Sequence, residues 1–353
     1  MNRLLQIVAV MLGLHIGPSV AETPALQVLA KIGPWSALIA YRGRSWFANS
    51  VRYPDHNSAD LYSLDPATGK YRYERHLFSQ DVGQPVVADG LLYWPYEDPR
   101  PSMGWGHIAV TNGQEWQLRV MAGGARMFHV HALEKLGGRL YAAPSAWRAG
   151  LHVSGDGGYR WKQIYDHSAP KGNITRIISL AAFNGKLFGA VVQRRAGAPR
   201  HPLRMLDGDK VTKIPGWPET ARTHDLIAAK GGVYGLTRDG DKVEFWRGDG
   251  TVAERISDHS MPGLRAVAAD ATGFWGAGDG ALWRSATGKN WPRVRGLTGG
   301  RPIDMVIHRG QIYIGGVVSD GRGILWGPPH GFFEAALATP FPDWQVAIFG
   351  GRV

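Results

Sequence analysis

The chain contains no cysteine. Disulfides and thiol chemistry are therefore excluded, and so is a lipid anchor on a cysteine at an export cleavage site. Long apolar runs are scarce as well. The N-terminal stretch Leu4 to Leu14 is too short to span a bilayer comfortably, and nothing later reaches about 18 uninterrupted apolar residues. No transmembrane helix is expected. Beyond the N-terminus, no segment combines helix caps with a 3.6-residue apolar period. Helix-turn-helix, RNP and zinc-finger patterns are missing, which argues against a nucleic-acid partner. The metalloprotease pattern HExxH is missing too.

The first 21 residues read as an export signal: Arg3 is the positive start, Leu4 to Leu14 the apolar core, and Ser19-Val20-Ala21 a small-residue cleavage site before Glu22. The expected mature chain, residues 22–353, is then periplasmic or secreted. A secreted chain without disulfides relies on its core or on metal. At roughly 330 residues that core suffices for one large all-β domain. The formal charge is +11, and +10 once Arg3 leaves with the signal. Such an excess favours anionic partners: an acidic glycan, a phosphate-bearing polymer or an acidic protein face. Colloidal solubility is the alternative explanation.

Glycine is the commonest residue, at 48, and its distribution is periodic. Seven times the chain repeats an apolar stretch, a turn usually carrying Gly, and a strand with an aromatic at a fixed place. These aromatics are Trp46, Tyr93, Tyr141, Phe188, Tyr234, Trp275 and Tyr313, spaced by 47, 48, 47, 46, 41 and 38 residues. A period of that size marks an array of one supersecondary unit, and strand-rich units of this length suit propeller blades. In the third repeat the alternation predicts strands at Val130 to Leu136, Arg139 to Ala143, Gly150 to Val153 and Trp161 to Tyr165. The fold expected is all-β: a single β-propeller of seven blades, with six or eight as the alternatives. Either Leu26 to Ile32 or Trp344 to Phe349 closes the ring.

The turn of the third repeat, Ser154-Gly155-Asp156-Gly157-Gly158-Tyr159-Arg160-Trp161, fits the pattern S-x-D-x-G-x-x-W at every defined position. Ser285-Ala286-Thr287-Gly288-Lys289-Asn290-Trp291 is a shorter copy without the Asp, and Ser63 with Asp65 begins a third. On these residues the chain resembles the BNR/Asp-box propellers, a superfamily that includes sialidases and many non-enzymatic periplasmic and photosystem-assembly propellers. The resemblance implies a fold element and no particular activity. Ser154, Asp156, Gly158 and Trp161 are expected to be structural: Asp156 accepts turn N–H groups, Gly158 takes a positive φ, and Trp161 packs between sheets. The catalytic set of a sialidase is not carried over. Its arginine signature has only Arg52-Tyr53-Pro54-Asp55 as a counterpart, placed where an outward loop is expected, and no Tyr–Glu pair can be assigned.

Aligning the inner strands on the seven aromatics gives the functional clue. Ten places before them stand Ser36, Gly83, His131, Ile178, His224, Arg265 and Ile303, and nine places before stand Ala37, Gln84, Ala132, Ser179, Asp225, Ala266 and Asp304. Eight places before, the residues are apolar and read as core. The polar side chains thus gather at one height, near one mouth of the central channel. His129, Arg176 and Gln84 join His131, His224, Asp225, Arg265 and Asp304 there.

Three chemistries follow. His129, His131 and His224 are candidate ligands for a divalent metal, completed by Asp225 or Asp304. Arg176, Arg265 and protonated His suit an anion. A His with a carboxylate suits acid–base work, with His131, His224, Asp225 and Asp304 as catalytic candidates. A wet channel whose polar residues satisfy one another is the structural alternative.

A long aromatic insertion runs from Trp94 to His107, and its Trp94, Tyr96 and Trp105 are candidates for stacking on a sugar or anchoring a protein. The Arg194 to His201 loop would be a basic rim. The function expected is a non-catalytic envelope binding or scaffold protein for an anionic ligand or protein partner. The alternative is a glycoside hydrolase or lyase acting on an acidic glycan at the channel mouth.

Overall fold

The computed structural model describes residues 27–32, 35–53, 56–99, 105–121, 127–167, 174–194, 202–328 and 333–334. They form seven sheets, antiparallel except for one pair in the closing blade, whose inner strands neighbour one another around a ring, a seven-bladed β-propeller. The expected signal at 1–21 lies outside the described residues, as does the tail Trp344 to Phe349.

The third blade shows the unit. Its strands run His129–Leu136, Arg139–Ser145, Ala149–Ser154 and Lys162–His167 from channel to rim. Each expected strand is present; the first three are extended by one to two residues at their ends, and the outer one begins at Lys162, one residue later than expected, and runs on to His167. The fourth, fifth and sixth blades repeat this plan with inner strands Ile174–Phe183, Arg222–Ala229 and Leu264–Asp270. The first blade adds a small hairpin, Val51–Tyr53 against His56–Ser58, where the sequence suggested a plain loop.

Closure comes from the N-terminal side. Gln27–Ile32 pairs antiparallel with Gly323–Gly327 of the seventh blade, and Phe333–Glu334 then pairs parallel with it. One blade thus takes its strands from both ends of the chain. Ladder hydrogen bonds hold the ring shut in a chain that has no cysteine.

The seven repeat aromatics are all buried, none above 8% exposed. Each packs on the next blade. Trp46 meets Leu92 and Trp94, Tyr93 meets Leu133 and Leu140, and Tyr141 meets Leu180 and Leu187. Phe188, Tyr234 and Trp275 continue the series, and Tyr313 closes it against Phe47 and Tyr62 of the first blade. The core is therefore a ring of seven interfaces. Every blade buries one face against its predecessor and one against its successor, so no blade has a core of its own.

Candidate functional site

Four-stranded blades of this topology sort their connections by face. The turns between first and second strands, and between third and fourth, lie on one face. The loops between second and third strands, and the links between blades, lie on the other. The candidate residues fall at the start of the inner strands, on that second face.

The inner strands share a feature that brings them together. In six of the seven the ladder to the second strand slips at the same height: between Trp35 and Ala37, Val130 and Leu133, Ile177 and Ser179, Thr223 and Leu226, Leu264 and Ala266, and Pro302 and Asp304. The residues released from pairing include Ser36, His131, Ile178, His224, Arg265 and Ile303, the column ten places before each aromatic. A β-bulge leaves its extra residue unpaired and re-aims it. Here most of the re-aimed residues line a cavity of about 320 Å³ to which all seven blades contribute, with Ser36, Gln84, His131, Arg265 and Asp304 among its polar walls.

The second blade departs from the plan. Gly83 lies against the third blade so closely that a Cβ would stand 2.3 Å from the His131 carbonyl oxygen. This approach lets the Gln84 N–H donate to that oxygen at 2.8 Å and the Leu133 N–H donate to Gln84 O at 3.1 Å. The Gln84 side chain reaches on to the fourth blade. Its Nε2 donates to Leu180 O at 2.8 Å, while its Oε1 accepts from Ser179 Oγ at 2.8 Å and from Leu180 N at 3.1 Å. Ser179 Oγ in turn accepts from Leu226 N of the fifth blade at 3.0 Å. Gln84, expected to bind a ligand, lines the cavity while both ends of its amide tie inner strands to one another.

Two charged groups flank the cavity. In the first, Glu97 Oε1 stands 3.7 Å from His129 Nδ1, 3.9 Å from His131 Nδ1 and 3.6 Å from Arg176 Nη1. His129 Nδ1 also meets the Glu97 carbonyl oxygen. The two imidazoles stack at 5.7 Å, as their spacing on one strand face requires. His131 Nε2 pairs with Ser145 Oγ at 2.7 Å. Burial, reinforced by the Arg176 charge and by His129, pushes the His131 imidazole down to about 3. Burial also lowers His129. The shift at His131 favours its neutral imidazole, which works against its holding an anion as an imidazolium. Arg176 keeps the positive role, and its buried Nε has no hydrogen-bond partner.

In the second group one guanidinium is forked onto a carboxylate, and the charges of two further arginines act on it. Arg265 grips Asp279 through Nε–Oδ1 at 2.5 Å and Nη2–Oδ2 at 2.6 Å. Those bonds, with the charges of Arg265, Arg238 and Arg301, hold the Asp279 carboxyl below its usual range. Arg238 Nη2 donates to Leu264 O at 2.8 Å.

The other expectations are distributed as follows. Asp304 lines the cavity half-buried, with Oδ1 accepting from Met305 N at 2.7 Å. His224 and Asp225 lie on the fifth inner strand, at the bulge, and their side chains fall outside the described residues. Among the described residues, no three His, Asp or Glu side chains converge as a metal would require. Trp94 and Tyr96 were expected to stack on a ligand, and this is corrected. Trp94 is fully buried, Tyr96 nearly so, and both pack in the interface of the first and second blades. The insertion continues the ladder instead of standing free, through Pro95 opposite Ile108 and through Tyr96 N donating to His107 O at 2.9 Å. Trp105 is half-buried, with its indole N–H enclosed. Of the Arg194 to His201 loop, residues 195–201 lie outside the described residues.

Sequence reasoning missed Glu97, Arg238, Asp279 and Arg301. A signal existed. Four places after each aromatic stand Ser50, Glu97, Ser145, Val192, Arg238, Asp279 and Val317. These are ends of second strands, which return to the face where the inner strands start. Twelve places before the aromatics, Asp81, His129, Arg176, Arg222 and Arg301 form a further polar column. Trp147, 76% exposed, also lies on this face, its carbonyl accepting from Thr175 N at 3.3 Å.

On the opposite face the turn of the third blade holds as expected. Ser154 Oγ accepts from Gly158 N at 2.8 Å, Asp156 Oδ1 accepts from Tyr159 N at 3.1 Å and Arg160 N at 2.9 Å, and Trp161 Nε1 donates to Gly158 O at 2.9 Å. Gly158 has φ of 92°. The sixth blade keeps the serine and tryptophan bonds without the aspartate, through Ser285, Gly288 and Trp291.

No protein-family profile matches the chain, and no curated protein does. Solved structures do. YCF48 from Cyanidioschyzon merolae is 12% identical at a TM-score of 0.57, over 87% of this chain and 99% of that one. YCF48 bound to D1 peptide is 15% identical at 0.60, over 87% and 95%. The extracellular domain of the one-component system BT4673 from B. thetaiotaomicron is 12% identical at 0.58, over 85% of this chain and 39% of that one. At such identities the likeness is one of fold: the chain is a β-propeller. Among the described residues no helix is long and apolar enough to cross a membrane.

Proposed function

We propose that this propeller is an exported, non-catalytic binding protein of the cell envelope that holds an anionic segment of a protein partner across the mouth of its channel. The observation that carries the reading is Arg265, which lines the cavity and is forked onto Asp279, with Arg238 and Arg301 acting on the same carboxylate, on the face where the bulged residues open into the cavity. Guanidiniums pair with carboxylates in fixed fork geometry, as Arg265 does with Asp279 here. Arg176 extends the same character across the channel, and exposed Trp147 offers an apolar anchor. That YCF48 has been seen bound to the D1 peptide supports a peptide as the kind of ligand such a propeller takes.

The signal at residues 1–21, removal after Ala21, a periplasmic or secreted location and kinship with the Asp-box propellers belong to this reading. The serine, aspartate and tryptophan bonds of the turn at Ser154 to Trp161 support the kinship.

The test is fluorescence anisotropy with a labelled glutamate-rich peptide and its glutamine counterpart, on the mature chain and on Arg238→Ala/Arg301→Ala. Both substituted residues are partly or fully exposed, so the fold should survive. Binding of the acidic peptide alone is expected, weakening as salt rises from about 0.05 to about 0.3 M, with at least a tenfold loss in the variant. Equal binding by the variant would sink the proposal. Binding of polygalacturonate or phosphate in place of the peptide would replace the protein partner with a glycan or phosphate ligand.

A further inference from the structure

A second site lies on the opposite face, in the groove between the second and third blades, a cavity of about 420 Å³. Its floor is Arg119, on the outer strand Trp116–Val120. This residue is only 6% exposed, yet its Nε and Nη1 are buried without any hydrogen-bond partner. Its one bond to another side chain runs from Nη2 to Gln117 Oε1 at 2.7 Å. The guanidinium lies 3.3 Å under the ring of Tyr159, which is itself 63% exposed and bonded through its hydroxyl to Gln117 Oε1 at 3.2 Å.

A buried cation with unanswered N–H groups is destabilising, because desolvation removes water from donors that nothing else satisfies. Such a group asks for an acceptor that arrives from outside. A shape-matched apolar side chain would serve the fold better here, and rule-breaking of this kind is concentrated at functional sites.

The walls narrow the ligand further. Glu115 and Asp156 line the same groove, with Tyr93 and Tyr159 as its aromatic sides. Asp89 lines it too but is paired with Lys135 at 2.5 Å. A multiply charged anion such as phosphate would be repelled by Glu115 and Asp156. A ligand with one carboxylate and a neighbouring amine satisfies both signs.

We propose that this groove binds the carboxylate of a small amphoteric ligand, an amino acid or the end of a short peptide, with Arg119 as the carboxylate-binding residue and Glu115 and Asp156 facing the amine. The pocket is separate from the channel mouth, so it stands or falls independently of the function proposed there.

The experiment is calorimetry on the full mature chain with four probes: L-lysine, L-lysine methyl ester, the tripeptide Gly-Gly-Lys and inorganic phosphate. L-lysine or the tripeptide should bind, and the tighter of the two identifies free amino acid or peptide end as the source. The methyl ester, which lacks the carboxylate, should bind at least tenfold more weakly, and phosphate should not compete. Arg119→Met should lose at least tenfold in affinity while its melting temperature holds or rises, because an unsatisfied buried charge has been removed. Arg238→Ala/Arg301→Ala should leave this binding unchanged. The proposal is overturned if neither amine-bearing carboxylate binds, if the ester binds as well as lysine, or if Arg119→Met melts well below the parent with its ligand affinity unchanged, since Arg119 would then be structural.

Discussion

The two faces of this ring are made from the same strands and differ in how the chain leaves them. On one face the inner hairpins turn in two residues. Five of the seven carry positive φ at both positions: Arg42-Gly43, Asp89-Gly90, Gly137-Gly138, Asn184-Gly185 and Arg309-Gly310. This is the turn whose twist matches the flanking strands, so pairing runs to the end of the ladder. On the other face the ladder slips in six inner strands, the connections are longer, and the charged side chains collect. Tight turns answer every backbone group locally and leave little to offer a ligand. Bulges free side chains from the pleat and turn them into shared space. Regularity builds the ring, and its interruption at one height builds the mouth.

The largest expected effect tests what both faces depend on, the interfaces between blades. Phe188→Ala empties a fully buried position between the fourth and fifth blades. It should lower unfolding free energy by about 3–5 kcal/mol in urea. A loss below about 1 kcal/mol would mean that the blades do not share a core.

The next test contrasts the two ends of one strand. His131 sits at the mouth end of His129–Leu136, and Glu134 stands three residues on, toward the turn. Burial shifts both toward neutrality. Folded His131 stays uncharged down to about 3, while the unfolded imidazole protonates near 6.5. Its contribution is complete above about 6.5 and fades as pH falls toward 3. Folded Glu134 keeps its proton up to about 7, while the unfolded carboxyl loses it near 4.5. Its contribution is complete below about 4.5 and is lost as pH rises through 7. Urea midpoints followed across pH should therefore fall less on acidification in His131→Asn, and decline less toward neutrality in Glu134→Gln. Parallel curves for parent and variants would show that neither group is linked to folding.

Smaller effects probe the tight-turn face alone. Gly185 has open space where a Cβ would go, but its φ is 74°, so Gly185→Val tests backbone conformation without a clash. A loss of about 1–2 kcal/mol is expected, with peptide binding at the far mouth unchanged. A weakened mouth would show that the two faces are coupled. Ser154→Ala removes one acceptor for turn N–H groups and should cost about 1 kcal/mol by thermal denaturation. Ser285→Ala removes the corresponding bond in a turn that lacks the aspartate. If Ser154→Ala proves neutral, the Asp156 bonds hold that turn without the serine.

Much of this was legible in the chain. The period of the aromatics, the glycines of the turns and the Ser154 to Trp161 pattern are local, and local chemistry decides them: a positive φ needs glycine or a tolerant polar residue, and an alternating strand needs a partner on each side. The column ten places before each aromatic was legible as polar for the same reason. What the residues there do was not. Gln84 and His131 stand in neighbouring columns and look alike as ligands, yet contacts with the third and fourth blades occupy Gln84, and burial strips His131 of its charge. Trp94 reads as a loop aromatic until Tyr96 and Pro95 prolong the ladder and press it into the core. Arg119 carries no motif, and its place under Tyr159, from the next blade, exists only once the blades are packed.

The sequence by itself determined an all-β ring of repeats, its tight turns and the height at which polar residues gather, because each depends on neighbours a few residues away. Only the tertiary structure decided which strand closes the ring, which polar groups satisfy one another and which stay open. Those outcomes depend on burial and on partners some 30 to 100 positions distant, such as Gln84 with Leu180 or Glu97 with His129, and desolvation acts only once the blades are packed.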